Sequence, residues 1–439
     1  MSAFFFNTAF KHGSHLLKQV RLLDPSVKID QAIDVWIVDG TLKGLGSQLS
    51  HDSDSTQVHD AQRWLLGPAL VDLYAHSGEP GYEQRETLQS LAQSALGGGF
   101  AQVGLLPSTD PPLDSIAALS ALQAKTKNIW PSPQWLPLAA LTTGIQGQTL
   151  TELGELAQSS IAGFCDDRPL PSLLMVQRIL EYLQPYNKPL LLWAWDPSQV
   201  GDGLIYEGEA SLRLGLKGIP MTAETSRVAG LIELVRRTPT PVHLMRISSA
   251  RSVELLGQAQ AEGLPITASV TWMHLLLCDE DIRRYDYHPA LRLDPPLGSE
   301  ANRQALVEGV QAGILTAIAT DHQAHTFEEK TLPFGQAPAG AVGLEFALPL
   351  LWDQLVQTGS LSPLALWGSL SQGPLDCLGQ TLVPIQSQLT QPLVLFDPDQ
   401  TWIVDSQTVF SRPQSTPWWG HTIRGKVVEI LHLRQRQSV

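Results

Sequence analysis

The sequence predicts a (β/α)8 barrel carrying a small β domain assembled from both chain termini. Three observations predict it. Eight short apolar runs recur between residues 65 and 320. Amphipathic stretches with apolar residues at helical spacing lie between most of them. The runs are almost continuously apolar, as strands of a parallel sheet buried on both faces must be.

Residues 1–64 read as short strands. Asp34-Val35-Trp36-Ile37-Val38 and Thr41-Leu42-Lys43-Gly44-Leu45 flank Asp39-Gly40, a hairpin signal because glycine accepts positive φ. The barrel is expected over residues 65–385, with strands at 65–74, 101–107, 135–141, 160–164, 189–195, 241–247, 265–270 and 315–320. Helices are expected at 86–96, 173–183, 224–237, 250–260 and 300–310, the first ending in the C-cap signal Gly97-Gly98-Gly99. Residues 386–439 return to β character, with the apolar runs 392–396 and 402–404 on either side of a turn at Asp397-Pro398-Asp399. Chain termini often lie close together, so the two β segments are expected to meet as one domain. A doubly wound sheet is the weaker alternative, since no GxGxxG joins the first strand to the first helix.

Composition narrows the function. The chain has 439 residues, is 43% hydrophobic and carries a formal net charge of −14, which excludes a disordered chain and leaves ample material for a core. Such acidity without a basic cluster argues against nucleic acid and anionic membrane as partners. Cys165, Cys278 and Cys377 are far apart and form no CxxC, so a reducing compartment fits. The run at 1–7 lacks a basic segment ahead of its apolar residues, and no stretch approaches the roughly 20 apolar residues of a spanning helix. A cytoplasmic protein is expected.

In a barrel of this kind the chemistry sits where strands end. After the first run comes Asp72-Leu73-Tyr74-Ala75-His76-Ser77-Gly78, and after the eighth comes Thr320-Asp321-His322-Gln323-Ala324-His325. With Leu65-Leu66-Gly67-Pro68-Ala69-Leu70-Val71, Gly163-Phe164-Cys165-Asp166-Asp167, Leu214-Gly215-Leu216-Lys217-Gly218-Ile219-Pro220 and Asp294-Pro295-Pro296-Leu297, these segments resemble the dihydroorotases of the amidohydrolase superfamily over nearly the whole chain. The resemblance implies metal-assisted interconversion of dihydroorotate and N-carbamoyl-aspartate in pyrimidine biosynthesis. A zinc ion would lower the pKa of a bound water, and a strand-8 carboxylate would shuttle the proton.

Taken residue by residue, the resemblance is incomplete at the metal positions. His-x-His after strand 1 reads Tyr74-Ala75-His76; the histidine of strand 5 is Trp193 and that of strand 6 is Arg246. Indole has no lone pair for a metal, and a guanidinium keeps its proton. The residual metal set is His76, Asp166 or Asp167, and Asp321, with Asp321 as the proton shuttle if the chain is active. His243, three residues before Arg246, is a candidate displaced ligand. The family arginine that grips the substrate carboxylate is Gly78 here, and Ser108 and His325 are the remaining substrate-binding candidates.

Each residue also has a structural reading. His76 reads as a ligand or as a partly buried histidine bonded to Asp321, and Asp321 as a base or as the ion-pair partner of Arg246. Trp193 and Trp195 fill a cavity or form an aromatic platform, and His322 and His325 hold a loop or touch a ligand. Buried carboxylates require a cation, and Arg246 is placed to supply one. The favoured expectation is a dihydroorotase-like pseudoenzyme without a cofactor that supports aspartate transcarbamoylase, as metal-less homologues do, or that self-associates. The alternatives are an active cyclic amidohydrolase with a rebuilt zinc site and a small-molecule binding protein using the barrel mouth.

Overall fold

Eight parallel strands form the barrel sheet: Leu70–Ala75, Phe100–Leu105, Gln134–Ala139, Gly163–Phe164, Leu190–Trp193, Val242–Met245, Ile266–Thr271 and Ala317–Ala319. This computed structural model describes residues 10, 12–47, 49, 55–386, 391–411 and 415–431; the run at 1–7 falls outside them. Strand alternation separates two apolar sets. Val71, Leu73, Leu138, Leu191, Met245 and Ala319 form one buried cluster, while Leu70, Val103, Leu190, Leu244 and Val270 belong to the cluster shared with the surrounding helices.

Polar bonds draw the first and eighth strands together. Asp72 accepts from the Thr320 backbone N–H at 2.7 Å and from the Thr320 hydroxyl at 2.6 Å. Burial pushes the Asp72 carboxyl up to about 7. Further along both chains, Ala75 bridges to His322 in parallel.

The principal helices are Leu88–Gly97, Leu173–Leu183, Thr222–Arg237, Ala250–Ala261 and Glu300–Gln311, each within two residues of its expected ends. The first is capped by Thr87, whose side chain accepts from the Ser90 N–H, and is followed by Gly99 at φ +89°. Among the described residues no helix is long and apolar enough to cross a membrane.

Among the described residues the second sheet has seven strands: Ser14–Asp24, Ile29–Val38, Thr41–Gly46, Thr56–Asp60, Leu65–Pro68, Leu393–Ile403 and Thr422–Leu431. It thus joins both ends of the chain. Asp39 and Gly40 both take positive φ, at 49° and 71°, as a two-residue hairpin turn requires. Two local expectations are corrected. The run at 65–74 is two strands rather than one. Leu65–Pro68 pairs with Leu393–Ile403, and Pro68 offers no N–H to extend a ladder. The Ala69 N–H turns to the Pro392 carbonyl at 3.0 Å, and the chain then enters the barrel. The turn expected at 397–399 is a bulge inside one strand, whose two flanks both pair with Thr422–Leu431. Asp397 accepts from the backbone N–H groups of Asp399 and Gln400, at 2.9 and 3.2 Å, replacing bonds lost from the ladder.

Candidate functional site at the barrel mouth

The carboxyl ends of the barrel strands surround a cavity of about 420 Å³ lined by His76, Gly78, Ser108, Asp167, Trp193, Arg246, Asp321 and His325, among others. Its floor is built around Arg246, whose side chain is only 4% exposed. The Arg246 guanidinium donates to Asp321 through two parallel bonds, Nε to Oδ2 at 2.9 Å and Nη2 to Oδ1 at 2.7 Å. The same Nη2 donates to Asp167 Oδ1 at 2.9 Å and lies 3.4 Å from His76 Nε2. Burial alone would lower the guanidinium pKa, but Asp321 and Asp167 together raise it.

The remaining sides of Arg246 are aromatic. Its guanidinium carbon lies 4.9 Å from the Trp193 ring centroid and 5.7 Å from that of Tyr74. Trp193 also stacks with Trp195, centroids 5.9 Å apart and planes 19° apart. Trp193 is therefore support for Arg246 more than a free platform. The Tyr74 hydroxyl accepts from the Arg246 backbone N–H at 3.3 Å and shares a 2.9 Å hydrogen bond with Ser269.

His76 faces both carboxylates. Its Nδ1 lies 3.5 Å from Asp167 and 3.3 Å from the Ser108 hydroxyl; its Nε2 lies 3.8 Å from Asp321, too far for the hydrogen bond expected there. Burial holds the His76 pKa below its ordinary value, outweighing the two carboxylates. Asp167 behaves oppositely. Burial favours its neutral form, but His76, Arg246 and Ser108 bring its pKa below the usual carboxylate range.

The structure separates the two neighbouring aspartates. Asp167 belongs to the cluster; Asp166 does not. Asp166 accepts from the Leu141 and Thr142 N–H groups, at 2.7 and 2.9 Å, and from the Thr142 hydroxyl at 2.5 Å. It thereby fixes the loop after the third barrel strand. His243 likewise stays apart, bonded to Thr267 and Ser269 at 3.0 and 2.8 Å. Gly78 is more than a missing arginine. A Cβ there would meet the Glu86 carbonyl at 2.3 Å and the Tyr82 carbonyl at 2.7 Å, so backbone occupies the space a clamp would need.

Contacts invisible to local reading surround the mouth. His322 Nδ1 accepts from the N–H groups of Gly343 and Leu344, so its Nε2 carries the proton and donates to Glu86 at 2.7 Å. Arg85 donates to Glu329 and lies over the Tyr82 ring. His325 donates from Nε2 to the Ala339 carbonyl at 2.7 Å, and burial pushes its pKa down to about 4. The Glu86–His322 and Arg85–Glu329 partners lie far apart along the chain, and no spacing in the sequence signals them.

These residues do not fit a zinc centre. A cation shared by His76, Asp167 and Asp321 would sit where the Arg246 Nη2 group already sits, and like charges exclude each other there. Tyr74 and Trp193 contribute no ligand, and among the described residues no group of three or more His, Cys, Asp or Glu side chains is placed to hold a metal.

Residues 63–252 match the family model described as dihydro-orotase-like. The chain is 41% identical over 436 residues to a "Probable dihydroorotase-like protein" of Synechocystis, covering 93% of this chain and 98% of the other. It is 34% identical to a dihydroorotase of Pelotomaculum thermopropionicum, covering 93% and 95% of the two chains. Its fold matches that of an L-hydantoinase (dihydropyrimidinase) from Arthrobacter aurescens with a TM-score of 0.80 at 20% identity, covering 97% and 95%. The likeness to these relatives spans 93% of the chain, and the chain belongs to the dihydroorotase family of amidohydrolases.

Proposed function

We propose that this family member has given up metal-assisted hydrolysis and serves a non-catalytic role in pyrimidine biosynthesis, as a partner or scaffold for aspartate transcarbamoylase. One observation carries the loss of hydrolysis: the guanidinium of Arg246 is the counterion of Asp167 and Asp321. Metal-assisted attack on an amide needs an activated water and a polarised carbonyl, and a guanidinium with its protons fixed on two carboxylates supplies no open coordination position. Asp321, the proton shuttle in the parent reaction, is held bidentate by the same group. The choice of partner rests on the resemblance to metal-less homologues. Buried, unpaired Cys165, Cys278 and Cys377 support a reducing, cytoplasmic setting.

The test is purification without chelator from zinc-supplemented medium, then metal analysis, a dihydroorotate ring-opening assay and co-elution with aspartate transcarbamoylase. Negligible zinc, no turnover and a stable complex are expected. About one or two equivalents of zinc with turnover would restore the hydrolase reading. No complex at micromolar concentrations would remove this partner and turn attention to self-association.

The open mouth favours a second reading, a small-molecule binding site. A cavity of about 420 Å³ remains above the Arg246 cluster.

A further inference from the structure

A second cavity, of about 700 Å³, opens at the opposite end of the barrel and shares no lining residue with the mouth. Gln102 and Trp135 reach it from the amino-terminal halves of the strands Phe100–Leu105 and Gln134–Ala139. The facing wall is the last turn of the helix Ile116–Thr126 and the segment that leads from it to the third barrel strand. Pro392, whose carbonyl ties Ala69, closes the side where the barrel meets the second sheet. Barrel chemistry belongs to the carboxyl ends of the strands, so it leaves this cavity without a role.

The charge around the cavity selects a neutral occupant. Among the described residues Lys127 is the single charged residue that lines it, and Lys127 is exposed, so water screens it. No carboxylate stands there to balance a cation. The helix presents its carbonyl end, whose partial negative charge disfavours an anion.

The remaining lining combines one open aromatic face with uncharged hydrogen-bonding groups. Of the twelve tryptophans Trp130 alone is exposed, at 41%. Trp135, by contrast, packs against the main apolar cluster. Pro131 and Pro133 flank the segment after Trp130 and restrict its backbone. The side-chain amides of Gln123 and Gln134 make no hydrogen bond among the described residues, and each offers two donors and an acceptor. Thr126 and Ser132 donate their hydroxyl protons to the Gln123 and Pro133 carbonyls, at 3.1 and 2.9 Å, and keep their oxygens free to accept. An indole face beside amides and hydroxyl oxygens complements a ring that is apolar on one face and carries hydroxyls around its edge.

We propose that this cavity binds a neutral pyranose sugar, its C–H face on the Trp130 indole and its hydroxyls on Gln123 and Gln134. Its volume lies within the range of small-ligand sites and admits a disaccharide. The inference is independent of the chemistry at the mouth.

Maltose is the probe, with glucose, glucose 6-phosphate and uridine beside it. Calorimetric titration of the full chain with maltose is expected to saturate with a Kd of about 1 mM or tighter, and to change the tryptophan fluorescence in parallel. Trp130→Ala is expected to weaken maltose at least about tenfold, and Gln123→Ala about three- to tenfold. Lys127→Ala is expected to change nothing. Glucose 6-phosphate should bind no more tightly than glucose, and uridine at least about tenfold more weakly than maltose. No saturation by maltose or glucose at about 50 mM, full affinity in Trp130→Ala, tighter binding of the phosphate through Lys127, or a preference for uridine each overturns the proposal. If Trp130→Ala misfolds, Gln123→Ala and the ranking of the four probes still decide.

Discussion

Arg246 and Asp321 meet through two parallel hydrogen bonds of 2.9 and 2.7 Å at the end of the barrel, from strands six and eight. Asp167 completes the arrangement, and all three residues adopt left-handed backbone geometry, with φ of 56° at Asp167, 58° at Arg246 and 47° at Asp321. Non-glycine residues rarely take that conformation, which costs of order 1–3 kcal/mol each and persists only where the surroundings enforce it. Here the enforcing contacts are ionic.

Removing the guanidinium is therefore expected to be costly. Arg246→Ala leaves two buried carboxylates without a cation and should destabilise the fold by roughly 3–5 kcal/mol. Arg246→Lys keeps the charge but cannot grip Asp321 in parallel while reaching Asp167, so it should fall between the two. Urea denaturation of the three proteins orders them. A loss below about 1 kcal/mol for the alanine variant would mean the cluster is not held by charge.

The same variant tests the cation's identity. With the guanidinium gone, His76, Asp167 and Asp321 are left facing one another, and excess zinc is expected to raise the melting temperature of Arg246→Ala but not that of the wild type. Differential scanning fluorimetry with and without zinc reads this directly. A zinc-dependent rise in the wild type would show that Arg246 yields its place.

What was legible beforehand divides by range. The eight strands and five principal helices are visible because apolar periodicity is local, and the Asp39-Gly40 turn because it needs two left-handed residues side by side. The split of the run at 65–74 was hidden: both halves are equally apolar, and only the long-range bond of Ala69 to Pro392 distinguishes them. At the site, charge alone suggested that Arg246 stands opposite Asp321. Whether Asp166 or Asp167 faces inward depends on backbone geometry that composition does not encode. The Glu86–His322 and Arg85–Glu329 pairs join residues 236 and 244 positions apart, and no single sequence pattern announces them.

Gly78 gives a prediction opposite to simple restoration. Reintroducing an arginine there would be expected, by residue type alone, to rebuild a carboxylate clamp. The structure predicts loss of stability instead, because even the Cβ meets backbone atoms at 2.3 and 2.7 Å. Strain of that kind costs typically about 1–3 kcal/mol, and more where backbone must move. Gly78→Arg should lower the melting temperature and gain no affinity for dihydroorotate. Gly78→Ala should show most of the same destabilisation, which separates backbone crowding from charge.

His243 supplies the pH dependence. It is buried, its ring nitrogens engage the hydroxyls of Thr267 and Ser269, and burial lowers its pKa to about 3. The unfolded chain binds a proton at this histidine near pH 6.5, whereas the folded chain resists it. Its effect on stability is therefore absent above about pH 6.5, and stability is lost progressively as pH falls towards 3, by about 1.4 kcal/mol per pH unit. Asp72 and Glu345 act in the opposite sense, because burial raises each to about 7, so the total acid limb is shallower than His243 alone would give. A difference measurement isolates it. His243→Gln retains a donor and an acceptor for Thr267 and Ser269 but does not titrate, and the carboxyl contributions cancel between the two proteins. At pH 7.5 the variant should be the less stable; by pH 5 the gap should have narrowed by roughly 2 kcal/mol. Urea midpoints at pH 7.5, 6 and 5 measure it, and a gap that stays constant would mean that His243 takes up its proton in the folded chain as readily as in the unfolded one.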